Sequence, residues 1–281
     1  MTKPYGEYIP GWLDSTVFAA TNRLPNNWLG LRTSIALRRI VTKRLAEDNG
    51  FDVVRWGMRM RLHPLRNGCE RGALFTPQMY EVPERHELFL GVEKARALGR
   101  TFQFIDIGAN VGLFSLFVAS CANSNANIIA IEPESENIRR LQFNVAANPG
   151  VAIRVIALAL GEKTGNLAIE VDRRDRGGTR TRPLNYNERG GVNVECRPLL
   201  DVLRQEKVLR IDALKIDVEG TEDAILIPFF RDSDESLWPD LIVIEDSRAS
   251  WRSDFFPSLE DRGYSVIRRS RQNMMMRRVT V

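Results

Sequence analysis

The sequence predicts an α/β fold: a Rossmann-like, mostly parallel sheet covered by helices, with an N-terminal helix and strand extension in front of it. Three observations carry this. From Thr101 on, short apolar runs alternate with stretches of helical period, and repeated strand and helix units build parallel sheets buried on both faces. The first such run leads through Gly108-Ala109-Asn110-Val111-Gly112 straight into an apolar helix, a join that turns unpaired backbone N–H groups toward a ligand. Finally, 281 residues, 43% of them hydrophobic, suffice for one substantial core plus an addition. The expected division is an extension over residues 1–80 and a main domain over 81–281.

In chain order, residues 1–28 hold Pro4, Pro10, Pro25, two Gly and two Trp without a sustained period, which predicts a loosely structured arm. Residues 29–45 place Leu31, Ile35, Leu37, Ile40, Val41 and Leu45 at helical spacing, with Arg32, Arg38, Arg39, Lys43 and Arg44 between them. This basic amphipathic helix reads either as a packing helix with a solvated outer face or as a weak contact to a membrane surface or partner. Val54, Trp56, Met58, Met60 and Leu62 then alternate with Arg55, Gly57, Arg59 and Arg61, the period of a half-buried strand or hairpin. Thr76-Pro77 and Pro83 mark helix starts, and the apolar stripe from Leu88 to Leu98 stops at Gly99. In the main domain the expected strands are 102–107, 128–131, 153–158, 213–217 and 241–244. Helices are expected over 113–121 and 135–147, and a closing hairpin joins 264–267 to 274–279. Residues 172–193, rich in Arg, Gly and Asn, predict a mobile loop beside the site.

Net charge is +4, unevenly spread: residues 1–100 carry 16 Lys or Arg against 10 Asp or Glu, and the remainder 24 against 26. The basic excess belongs to the N-terminal third but forms no run typical of nucleic-acid tails, so no nucleic-acid partner is expected. Cys69, Cys121 and Cys196 are odd in number and far apart, which argues against a disulfide framework or a zinc site. A leader-like N-terminus and an apolar run of ~18 residues are both missing, and the expectation is a soluble, cytoplasmic protein.

Asn110 and Leu113 stand where a dinucleotide fingerprint needs its second and third glycines. Asp106, just before the turn, suits the cationic amino-acid end of S-adenosylmethionine better than a pyrophosphate. Glu132, ending the next strand, can accept from two ribose hydroxyls, a role common to dinucleotide and methyl-donor sites. In LKIDVEG, Lys215, Asp217 and Glu219 share one side of an extended strand, at the carboxyl end where open parallel sheets bind ligands. Charges in an apolar segment are costly unless paired or used. Either Lys215 and Asp217 form a structural ion pair, with an acidic residue favouring the next helix N-terminus, or the carboxylates serve a ligand.

Together FIDIGANVGLFSL, IIAIEPESENIRRLQFNVAAN, VIALALGEKTG and LKIDVEGTEDAIL resemble the FkbM-type S-adenosylmethionine-dependent methyltransferases, with DVEGTE the most distinctive part. The resemblance covers roughly residues 100–270. It implies a class I methyltransferase fold, a seven-stranded, mostly parallel sheet with a reversed last strand. It also implies S-adenosylmethionine as donor and O-methylation of a sugar, glycolipid-type or other small-molecule acceptor. Carried onto this chain, Asp106, Gly108, Ala109, Asn110 and Gly112 would hold the donor's amino-acid end, Glu132 its ribose, and Asp217 would sit near the transferred methyl. An alcohol needs a base to take its proton; Asp217 and Glu219 come first, then Glu245 or Asp246. His63 and His86 read as structural, and no metal is expected, because the carboxylates lack a ligand spacing. Two other classes stay open: an NAD-dependent oxidoreductase or epimerase, and a non-catalytic nucleotide-fold binding module.

Overall fold

A computed structural model describes residues 3–45, 49–170, 180–181 and 192–279. The first third of the chain forms α1 (Trp12–Thr21), α2 (Trp28–Thr42), β1 (Phe51–Arg55), β2 (Met58–Leu62), α3 (Gly68–Phe75) and α4 (Val82–Ala97). The described part of the expected loose arm over 1–28, residues 3–28, is therefore ordered against the rest of the chain. α1 buries Val17 and Phe18 in a cluster with Val41, Phe51, Met60, Leu62 and Phe75, which also reaches Val111, Leu113 and Leu116 of the main domain. A ten-residue helix with three buried positions shows no clear period, so tertiary burial rather than pattern defines it. Ahead of α1, the Asp52 carboxylate accepts from Gly6 N and Tyr8 N, and Arg61 donates to the carbonyls of Lys3 and Pro4.

The alternating stretch is a hairpin whose turn residues, Trp56 and Gly57, both have positive φ. Its basic residues do not share one solvent face: Arg59 is exposed, but the other two are not. Val54 is 56% exposed, whereas Arg55 and Arg61 are buried. Arg55 donates to the carbonyls of Ala73 and Leu74, and Arg61 pairs with buried Asp52 at 2.7 Å. Thr76-Pro77, the expected helix start, instead follows α3, which Asn67 caps by accepting from Glu70 N. α2 forms as expected, with Trp28, Leu29, Leu31 and Ile40 exposed beside Arg32 and Arg39. Among the described residues, no helix is long and apolar enough to cross a membrane.

The main domain builds outward through β3 (Phe102–Ile107), α5 (Leu113–Ala122), β4 (Ala126–Ile131), α6 (Ser135–Ala146) and β5 (Ile153–Ile156). A small sheet of β6 (Ala159–Leu160), β7 (Gly165–Glu170), β8 (Arg180–Thr181) and β9 (Val192–Arg197) follows. The pattern did not announce it. Of the expected loop over 172–193, only residues 180–181 and 192–193 lie among the described ones. α7 (Leu199–Gln205) returns the chain to β10 (Ala213–Ile216), on the other side of β3. α8 (Glu222–Asp232), β11 (Leu241–Glu245), α9 (Phe256–Glu260), β12 (Tyr264–Arg269) and β13 (Asn273–Arg278) complete the domain.

The sheet runs β12-β13-β11-β10-β3-β4-β5, parallel from β11 to β5, with the last strand β13 antiparallel to both neighbours. This is the seven-stranded class I arrangement. Phe102 and Phe104 of β3 face α4 and α5, while Ile105 and Ile107 face α7 and α8. Because the chain leaves β3 toward β4 and returns beside it at β10, a crevice opens at the carboxyl ends of these strands.

Candidate active site

A pocket fills that crevice, lined by Gly108, Ala109, Asn110 and Phe114 after β3, Glu132 after β4, Lys215 of β10, and Asp217 and Glu219 just after it. Cys69 and Tyr80 of the extension close it. The glycines are fixed by close approach. Gly108 has φ +71, and a Cβ there would lie 1.9 Å from the Asp217 carbonyl oxygen; at Gly112, φ +86, it would lie 2.4 Å from Leu141 Cδ1. Asn110 adopts φ 52 without being glycine and is held from two sides. Its N–H donates to Glu132 Oε2 at 2.8 Å, and its Oδ1 accepts from Asn67 Nδ2 at 2.8 Å.

Glu132 is buried, and its carboxylate also accepts from Glu134 N at 3.0 Å and Asn137 Nδ2 at 3.3 Å. A carboxylate offers about four lone-pair sites, so one remains for a ligand without displacing a protein donor. Burial pushes this carboxyl up to about 7 against the pull of those three donors. Asp106 has no exposure and does not line the pocket: it faces the α4 and α5 side, where its Oδ2 accepts from Ser115 N and Oγ. Its register partner across β10 is Lys215.

The Lys215 ammonium lies 3.1 Å from Asp217 Oδ2 and 3.3 Å from the Gly108 carbonyl, so the ion pair weighed from sequence does form. Burial works against its charge, but Asp217, Asp106 and Glu81 more than offset this and hold its pKa above the ordinary value. Asp217, Glu219 and Glu245 each place a carboxylate oxygen within 4.8 Å of the others. Glu219 sits at a left-handed φ of 60. Glu245 accepts from Ser247 Oγ at 2.8 Å, and burial, reinforced by the charge of Asp217, pushes it up to about 7. Asp246 is engaged elsewhere, with Arg248 and Arg269. His63 is buried in the extension, His86 is exposed on α4, and neither lines the pocket.

Sequence reasoning missed Asn67, Cys69, Tyr80 and Asn137. Only one signal pointed to the first two: Asn67 followed three residues later by Glu70 is a helix N-cap pattern. Beside the pocket, and sharing Glu219 with it, a second cleft is lined by Lys163, Asn166, Thr221, Ser250 and Arg252.

The family model of the methyltransferase FkbM domain matches residues 106–266. The chain is 30% identical over 196 residues to methyltransferase sdnD of Sordaria araneosa, covering 58% of this chain and 74% of that protein. It is also 30% identical over 157 residues to the AMB antimetabolite synthetase AmbE of Pseudomonas aeruginosa, covering 44% of this chain but 7% of that protein. Among solved structures it is similar to the METTL16 MTase domain, with a TM-score of 0.48 and 14% identity, over 94% of this chain and 89% of that one.

Proposed function

The chain belongs to the FkbM methyltransferase family, and from that premise we propose that it transfers a methyl group from S-adenosylmethionine to a hydroxyl of a sugar-bearing or other small-molecule acceptor. The observation that carries this reading is the convergence of Asp217, Glu219 and Glu245 across the glycine turn from Glu132. The pocket suits the donor. Glu132 keeps one acceptor position for a ribose hydroxyl, and the carboxylates beyond the turn complement a sulfonium, whose positive charge a pyrophosphate lacks.

Methyl transfer to an alcohol is an in-line displacement, so holding donor and acceptor in line supplies much of the acceleration. The hydroxyl oxygen bonds the methyl carbon, the carbon–sulfur bond breaks with its pair on sulfur, and the hydroxyl proton passes to a carboxylate. Asp217 is the first proton acceptor, because Lys215 fixes its orientation. Glu245, with its carboxyl near 7, and Glu219 stand close enough to share that proton. The neighbouring cleft, lined by Lys163, Asn166, Thr221, Ser250 and Arg252 together with Leu160, Leu167 and Ala224, offers hydrogen-bonding groups to a hydroxyl-bearing acceptor beside apolar ones. Incubation with isotopically labelled donor and a panel of hydroxylated acceptors, followed by fragmentation mass spectrometry, tests the reading. Label on oxygen is expected, and label confined to nitrogen or carbon would overturn the hydroxyl assignment.

A further inference from the structure

We propose that Glu81, at the start of α4, binds the ammonium of the donor's amino-acid portion, so that the extension completes the donor site. The inference rests on the reading of the pocket as an S-adenosylmethionine site. Glu81 holds a left-handed backbone, φ 41 and ψ 49, although it is not glycine, and such outliers gather at ligand sites. Its Oε2 is buried and has no hydrogen-bond partner among the described residues. A buried carboxylate oxygen without a donor is unfavourable unless a ligand supplies one.

The surroundings agree. Tyr80, next in the chain, is a wall of the pocket, as is Cys69. Lys215 and Asp217 face Glu81 from β10, and Glu84 faces it from its own helix; burial, partly offset by Lys215, pushes the Glu81 carboxyl up to about 7. Lys215 is the cation acting most strongly on Glu81, yet its hydrogen bonds go to Asp217 and the Gly108 carbonyl. Asp106, the residue the sequence suggested for the donor's amino-acid end, also has one oxygen unpartnered among the described residues, Oδ1, but it lies behind the glycine turn, away from the pocket lining, with Oδ2 bound to Ser115. The order β10-β3-β4 sets Glu132 and Asp217 on opposite sides of that turn. Tyr80 lines the pocket and Glu81 follows it directly, so a donor with its ribose at Glu132 and its amino-acid end against Tyr80 would bring its ammonium beside Glu81.

Calorimetric titration of the full chain separates the possibilities, using S-adenosylmethionine, S-adenosylhomocysteine and 5′-methylthioadenosine, the last of which lacks the amino acid. In Glu81→Gln the first two should bind about 10- to 100-fold more weakly, as expected for a lost charged hydrogen bond, with methylthioadenosine unchanged. Equal losses for all three, or none, would overturn the assignment. N-acetyl-S-adenosylhomocysteine removes the ammonium charge without touching the protein and should lose as much on the wild type; binding as tight as the parent compound would also overturn it. If the wild type binds none of the nucleosides, it is the donor reading itself that fails.

Discussion

The two walls of the pocket are held by different forces. The wall formed by the turns after β3, β4 and β10 hangs from strands packed among apolar side chains, such as Ile105, Ile107, Leu214 and Ile216. The wall formed by the extension shares an apolar cluster with Val111, Leu113 and Leu116 but is tied to the glycine turn and α6 by buried polar contacts as well. Asn67 reaches Asn110, Glu70 pairs with Arg140 at 2.6 Å, and Asn144 of α6 accepts from Arg61 N while donating to the Val111 carbonyl. Apolar burial is non-directional and fixes the sheet; hydrogen bonds are directional and fix the shape of the turn. Chemistry and direct donor contacts should therefore fail when the first wall is altered, and stability or the shape of the glycine turn when the second is.

The largest effect belongs to Asp217→Asn, expected to slow single-turnover methyl transfer roughly 100- to 10,000-fold while donor affinity holds. The amide oxygen still accepts from Lys215, so a stable variant with normal chemistry would return Asp217 to a purely structural role. Glu70→Gln attacks the other wall. It leaves Arg140 buried with Glu136 as its remaining carboxylate and should cost about 3 kcal/mol, read from denaturant unfolding. Glu132→Gln should weaken donor binding by about 2 kcal/mol, because it loses a charge-assisted acceptor for the ribose. Asn67→Ala is the mildest change, about 1 kcal/mol through the α3 cap, with a few-fold loss in donor affinity through Asn110. A folded Asn67→Ala protein with unchanged affinity would show that the glycine turn holds its shape without the extension.

The carboxyls also predict a pH dependence. Burial raises Glu132 and Glu245 to about 7, above the ordinary carboxyl value of 4.5. Between about 4.5 and 7 the unfolded chain therefore binds fewer protons than the folded one, and these groups make the ligand-free protein less stable as pH rises. A cationic donor favours the ionised carboxylates, so the thermal shift it produces should grow over the same window. A shift that is flat with pH would argue that these groups do not meet the donor.

The contrast between the walls also explains what the sequence made legible. The β3 turn, Glu132 and the carboxylates after β10 and β11 end apolar runs of recognisable period, and two backbones passing at 1.9 Å of a notional Cβ leave a glycine as the trace. The extension leaves no such trace. Arg55 and Arg61 alternate like a solvent face yet are buried against carbonyls and Asp52, partners far along the chain. Glu70 sits in a short helix without a clear apolar period, and nothing local marks it as fully buried against Arg140, a partner far along the chain. Asp106 is the converse: its position before the turn was plain, but which side of the sheet it faces emerges only once α4 and α5 are packed.

The most direct test of the central claim, that the crevice between β3 and β10 holds a methyl donor, is equilibrium titration of the full chain with S-adenosylmethionine and NAD in parallel. The account predicts saturable one-to-one binding of S-adenosylmethionine, weakened in Glu132→Gln, and no saturable binding of NAD. Saturable NAD binding in the absence of any S-adenosylmethionine binding would contradict it.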